Sequence, residues 1–336
     1  MKPNRGSLSL DLDNLWSYMK THGDPGWNAF PSYLDIVVPR FLSLLDEFSM
    51  KITVFVVGQD AALEYNHAAL RSIPEAGHEI GNHSFKHEPW LHLYSEAEVV
   101  DEIRNAEAAI EGATGQRPNV FRGPGYSLSE TVLRVLADRG YACDCSTFPT
   151  FVGPLARAYY FLNARLDTAQ KAKRKALFGG LRDGIRPLRP YRWDVGGAGL
   201  LEIPVATMPV IRMPIHFSYL HWLAGMSEGL SRTYFATALS ACRLAGIEPS
   251  LLLHPLDFLG KDDAPQLGFF PAMDQGAAEK MDRMRRLLSI LDRQCVVETI
   301  GAHAGRLAAM QPRLRRPDFK ASKAEDGGPA GLEQGG

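Results

Sequence analysis

Ser7-Leu8-Ser9-Leu10-Asp11-Leu12-Asp13 alternates polar and apolar residues without a break, the period of a β-strand with one face in a core. Leu8, Leu10 and Leu12 share one face. Asp11 and Asp13 share the other, so two carboxylates leave together at the strand's carboxyl end. Enzymes built on parallel sheets and barrels carry their sites at that end. Paired carboxylates repel and need a cation or a shared proton, which makes this strand a candidate site rather than an ordinary surface edge.

Outward from this strand, strand and helix periods alternate. The spacing predicts an amphipathic helix over 31–48 with Pro39 inside it, then a buried strand over 52–57 and a weaker one over 79–84. Ser95 with Glu98 reads as a capping box opening a helix toward Gly112, and Ser127 with Glu130 as another, opening a helix that ends at Gly140. Strands are expected over 119–122, 141–145, 201–205, 250–253 and 296–300, and helices over 231–244 and 274–293. Repeated units of this length point to α/β architecture with a mostly parallel sheet, open or closed into a barrel, in one domain.

The chain has 336 residues, 45% of them apolar, which is too long and too hydrophobic for disorder. Its 37 basic and 38 acidic residues give a net charge of −1, so no global field recruits nucleic acid. Cys143, Cys145, Cys242 and Cys295 make no disulfide framework, and the spacing of Cys143 and Cys145 does not suit a structural zinc site. Residues 1–6 contain no apolar h-region and no run reaches 18 apolar residues, so neither a secretory signal nor a spanning helix is expected, and a cytoplasmic location is the default.

Three further motifs carry chemistry. His83 and His87 stand four apart in Gly81-Asn82-His83-Ser84-Phe85-Lys86-His87, a spacing that converges on one metal if the segment turns helically. In Phe121-Arg122-Gly123-Pro124-Gly125-Tyr126 an arginine ends a strand before a turn whose backbone can approach a ligand and present an N–H to an oxyanion. Leu251-Leu252-Leu253-His254-Pro255 ends another strand with a histidine, which alone would read as structural.

In this order, aspartates, His-Ser-x-x-His, Arg-x-Pro and Leu-x-His resemble the polysaccharide deacetylase family with the NodB homology domain, the fourth family of carbohydrate esterases, over residues 9–255. The resemblance implies a distorted parallel (β/α) barrel and a divalent metal, most often Zn2+, held by one aspartate and two histidines. Asp13, His83 and His87 resemble the ligands, Asp11 the general base, His254 the general acid and Arg122 the arginine that orients the base. The common pattern has adjacent aspartates. Asp11-Leu12-Asp13 resembles a branch that includes peptidoglycan deacetylases and amidohydrolases of non-sugar substrates, and it leaves the two aspartate roles exchangeable. The oxyanion donor is the N–H of Gly125 or of Tyr126. The family's fourth motif, an Asp near a Trp, has two candidates, Asp144 and Trp193-Asp194.

Between 155 and 192 there are ten basic and two acidic residues, preceded and interspersed by aromatics, in what reads as a large insertion over about 148–192. A second apolar-aromatic stretch covers 209–225. Together they suggest a segment at an anionic lipid surface, equally well a solvated basic helix. Residues 311–336 have almost nothing to bury and are expected to be disordered, leaving 1–310 as the domain. The expected activity is hydrolysis of the amide of an N-acylated sugar, as N-deacetylase or deformylase, on an envelope polysaccharide or lipid-linked glycan at the inner membrane face. The alternatives are a cyclic imide or ureide amidohydrolase, or an inactive carbohydrate-binding protein.

Overall fold

The computed structural model describes residues 4–152, 183–197 and 199–319. Its strands, in chain order, are β1 Asn4–Leu12, β2 Thr53–Val56, β3 Glu79–Asn82, β4 Val120–Phe121, β5 Cys143–Asp144, β6 Tyr191–Trp193, β7 Leu200–Glu202, β8 Ser250–Leu253, β9 Cys295–Glu298 and β10 Leu314–Arg315. The helices are α1 Leu15–His22, α2 Leu34–Asp46, α3 Gly58–Ala61, α4 His67–Glu75, α5 Glu96–Thr114, α6 Glu130–Asp138, α7 Phe217–Met226, α8 Glu228–Leu244, α9 Ala277–Gln294 and α10 Ile300–Ala308.

The strands hydrogen-bond in the order β10-β6-β7-β5-β4-β3-β2-β1-β8, with β9 also on β1. Every described pairing is parallel except β6 with β7. β1 is flanked by β2 and β8 and is buried from Gly6 onward, as parallel strands covered by crossover helices are. Leu8, Leu10 and Leu12 enter the main core with Val37, Phe41 and Leu253.

The sheet is strongly curved. On a flat sheet β4 would lie three strand spacings, roughly 14 Å, from β1, farther than an arginine side chain extends. Yet Arg122, directly after β4, donates to Asp11 on β1 at 2.6 Å. This curvature gives the distorted (β/α) barrel, and it gathers the carboxyl ends of the strands around one opening.

Most expected elements form within a few residues of their expected bounds. Ser95 and Glu98 make the reciprocal capping box, and Pro39 lies inside α2. Ser127 is not the cap of α6. Ser129 is, its hydroxyl accepting from Val132 N–H, while Ser127 instead takes the N–H of His92. The expectation of disorder from 311 fails for 311–319: β10 pairs with Arg192 and Trp193, Arg186 bonds Asp318 at 2.9 Å, and Phe319 packs on Trp193 at 5.4 Å. Phe319 and the open edge of β6 supply the partner that composition did not reveal. The rest of the tail, and the basic run at Lys171–Lys175, lie outside the described residues. The end of the expected insertion is part of the sheet, as β6. Among the described residues no helix is long and apolar enough to cross a membrane.

Candidate active site

Asp13 follows β1, and its Oδ1 lies 2.9 Å from His87 Nε2 and 3.3 Å from His83 Nε2. One ligand atom from each of the three residues falls within 4.8 Å of the others. His83 extends from the end of β3, and its Nδ1 meets the Arg122 carbonyl at 2.7 Å. That bond fixes a proton on Nδ1 and leaves the Nε2 lone pair aimed at the cluster, the usual arrangement behind a metal-binding imidazole. Asp13 Oδ1 and His87 Nε2 are buried without a hydrogen-bond partner, in spite of their proximity. Buried polar atoms without partners are costly, and one carboxylate and two imidazoles converging in this way fit a divalent metal. Burial pushes the Asp13 carboxyl up, but the adjacent His87 and His83 overcome this and hold it well below the usual carboxylate range. Burial lowers His83, and Asp11 and Asp13 more than reverse it, leaving that imidazole raised. The local potential is therefore one that favours cations.

The two histidines converge without a helix. Ser84 and His87 have φ of 63° and 52°, so the loop turns through left-handed residues. Such backbone needs external support, and Glu102 of α5 provides it: its buried Oε2 accepts the N–H of Phe85 at 3.0 Å and of Lys86 at 2.9 Å. Asn82 accepts from Ser84 N–H at 2.8 Å. Glu102 escaped the sequence reading because a glutamate in an amphipathic helix looks solvated.

Asp11 takes no part in this cluster. It pairs with fully buried Arg122, whose Nη1 also donates to Ser9 Oγ at 2.8 Å and whose Nε donates to the Cys145 carbonyl at 3.0 Å. Burial lowers the guanidinium's pKa, but Asp11 outweighs it and the net shift is upward. The geometry thus separates the two aspartates, Asp13 toward the histidines and Asp11 toward the arginine.

After Arg122 the chain makes a tight turn. A Cβ on Gly123 would meet Ser127 O at 2.1 Å, so only glycine fits there. Tyr126 N–H donates to the Gly123 carbonyl at 2.9 Å, which commits it to the turn and corrects the expectation that it could serve an oxyanion. Of the two candidates this leaves Gly125, exposed at φ 57°. Gly123 N–H donates to Ser146, whose hydroxyl donates to Asp144 at 2.6 Å. Asp144 therefore supports the turn through Ser146, while Asp194 follows β6 and its N–H donates to the Arg315 carbonyl of β10 at 2.7 Å.

His254 closes the opposite side. Its Nδ1 contacts Ser218 Oγ at 3.2 Å, Ser218 donates to Asp257 Oδ1 at 2.7 Å, and Asp257 Oδ2 accepts the His254 backbone N–H at 2.8 Å. Because the Ser218 O–H donates to Asp257, the serine oxygen accepts from His254 Nδ1–H and the ring's Nε2 side remains for other work. Burial raises the Asp257 carboxyl, and His254 draws it back in part. Neither partner was foreseen. Asp257 is three residues beyond His254 in a 3-10 turn, and Ser218 comes from α7, a helix whose nearly uniform hydrophobicity hides its period.

Comparison with known proteins follows the same lines. Residues 24–143 match the family model described as polysaccharide deacetylase. A peptidoglycan deacetylase of Helicobacter pylori is 26% identical over 146 residues, covering 42% of this chain and 48% of that protein. The peptidoglycan-N-acetylglucosamine deacetylase PgdA of Listeria monocytogenes is 31% identical over 96 residues, 29% of this chain and 20% of its own length. The matches thus span about half, or less, of these relatives. A crystal structure described as a putative polysaccharide deacetylase from Mycobacterium smegmatis shares the fold, with TM-score 0.58 at 19% identity over 96% of this chain and 97% of that one. Residues 24–143 thus resemble the polysaccharide deacetylase family, and the described fold is shared with that solved structure.

Proposed function

We propose that this protein hydrolyses the amide of an N-acylated sugar, as an N-deacetylase or deformylase. The observation that carries the reading is the convergence of Asp13, His83 and His87 within 4.8 Å, beside the Asp11–Arg122 pair. The curated relatives named peptidoglycan deacetylases support an N-acylated glycan as substrate. Asp13, His83 and His87 would hold a divalent metal, zinc by the donor set, whose chemistry there would be Lewis acidity. Asp11, oriented by Arg122, takes the proton of the attacking water. Gly125 N–H donates to the carbonyl oxygen as charge gathers there. His254 protonates the leaving amine, held in orientation by Ser218 and Asp257. One water and one amide bond are consumed, and a carboxylic acid and an amine are formed.

The test is release of acetate or formate from a panel of N-acylated sugars, set against ring opening of cyclic imides and ureides. Acyl release is expected, with His254→Ala lowering kcat by about 10²-fold, the scale of a positioned acid, without loss of metal. Ring opening alone gives the imide reading, and neither activity gives the carbohydrate-binding one. An unchanged rate in His254→Ala returns that residue to a structural role.

We further propose that the substrate is carried on a lipid at an anionic membrane face on the cytoplasmic side. The support is the sequence charge of 155–192, ten basic residues against two acidic. Each basic residue near such a surface contributes on the order of 1 kcal/mol. Sedimentation with anionic liposomes is expected at low salt. It should fall as the Debye length shrinks from ~10 Å at 0.1 M to ~3 Å at 1 M, and on replacing Lys171, Lys173, Arg174 and Lys175 with glutamine. Protein that stays in the supernatant at low salt, with full activity on soluble oligosaccharides, removes the membrane and keeps the deacylase.

A further inference from the structure

His216 is the N-cap of α7, and its role follows from how the cap uses the ring. Its Nδ1 accepts the backbone N–H of Tyr219 at 3.3 Å. A ring nitrogen that accepts carries no proton, so the proton of the neutral imidazole is on Nε2. Burial, and then the charge of His254, depress this imidazole to about 3, so the ring remains in that one neutral form. Nε2–H has no hydrogen-bond partner among the described residues, and the side chain is only half-buried.

Its surroundings give that donor a direction. The ring centroid lies 6.1 Å from His254, nearly perpendicular to it, and 6.0 Å from Phe148, which packs 4.7 Å from Tyr126. The Tyr126 phenol in turn feels the charges of Asp11 and Asp13. Tyr126, Phe148, His216 and His254 therefore form one continuous wall from the aspartates to the candidate acid. The wall joins aromatic faces to a single fixed donor, the combination that binds a sugar: apolar C–H faces against rings, and an N–H toward a hydroxyl or acyl oxygen.

We propose that His216 is a substrate-binding residue, donating Nε2–H to an oxygen of the N-acylated sugar held between Phe148 and His254. This rests on the deacylase reading above. Because His216 touches neither the Asp13 cluster nor the Asp11–Arg122 pair, its effect belongs in KM more than in kcat.

The test compares wild type, His216→Ser, His216→Thr and His216→Asn as full-length, metal-loaded protein on N-acetylglucosamine oligosaccharides. Serine and threonine keep an N-cap acceptor and remove the ring donor, and either one suffices if the other fails to fold. Asparagine caps and still offers an N–H. Loss of one neutral hydrogen bond should raise KM by up to about 10-fold in the Ser and Thr variants, with kcat within about two-fold, metal content unchanged and the pH profile unmoved. Asparagine should recover part of the loss. A Ser or Thr variant with wild-type KM overturns the assignment while the deacylase reading stands. A wild type that releases no acyl group overturns that reading and takes the role of His216 with it.

Discussion

His83→Ala and His87→Ala should each yield folded protein that no longer holds stoichiometric zinc and turns over more than about 10²-fold more slowly. Changing an outer partner of a metal ligand already costs ~10- to 100-fold in affinity or activity, and removing one of three protein donors should exceed that. The effects on the two histidines should differ in a second respect. Removing His87 costs its contacts with Asp13 and the His83 ring, whereas His83 is 2% exposed and also bonds the Arg122 carbonyl. His83→Ala should therefore lower the melting temperature as well, since it opens a cavity and frees a buried acceptor. Zinc is measured by mass spectrometry after dialysis, and stability by thermal unfolding of the zinc-free proteins, so that loss of metal does not masquerade as loss of packing. Full zinc occupancy in the double variant would falsify the ligand assignment.

The residues of that cluster were legible because their spacing is chemical: alternation puts Asp11 and Asp13 at one strand end, and His83 and His87 stand four positions apart. What supports them was not legible. The loop closes through left-handed Ser84 and His87, against a glutamate nineteen residues after His83 on another element, and no local period announces such a contact. The same holds for Ser218 and Asp257 behind His254, and for Glu202, which accepts from Thr147 N–H at 2.9 Å and from the Trp193 indole at 2.8 Å inside the core. Burial, the Asp144 charge and a hydrogen bond to Asp144 push Glu202 well above its ordinary range. In the sequence it is merely an acid in an apolar strand. Strands with long apolar runs, such as β8, were legible, while β6 was absorbed into the apparent insertion and β10 into the apparent tail. Short edge strands are defined by the neighbour they pair with, which a sequence read one segment at a time does not contain.

The Asp11-Leu12-Asp13 spacing left the two carboxylates interchangeable, and their contacts now predict opposite phenotypes. Asp11 Oδ1 lies 2.6 Å from Arg122 Nη1, and Asp13 Oδ1 lies 2.9 Å from His87 Nε2. Asp11→Asn keeps an oxygen for the guanidinium but cannot take a proton, so zinc should stay near one equivalent while kcat falls by about 10²- to 10⁴-fold, the range for a general base. Asp13→Asn removes the only anionic donor of the cluster, and zinc affinity should fall with activity. Asp11→Ala separates the structural part of the pair from the chemical part. Arg122 is fully buried with Nη2 already unpartnered among the described residues, and losing its carboxylate leaves a bare cation in the core. Breaking one side of such a pair costs roughly 3–5 kcal/mol, so Asp11→Ala should unfold well below wild type and below Asp11→Asn. Changing Arg122→Met in the Asp11→Ala background should restore stability, because replacing both ends of a buried pair with apolar groups is often close to neutral, and it should restore no activity. If instead Asp11→Asn loses its zinc while Asp13→Asn keeps it, the two roles are exchanged and Arg122 orients a ligand rather than a base.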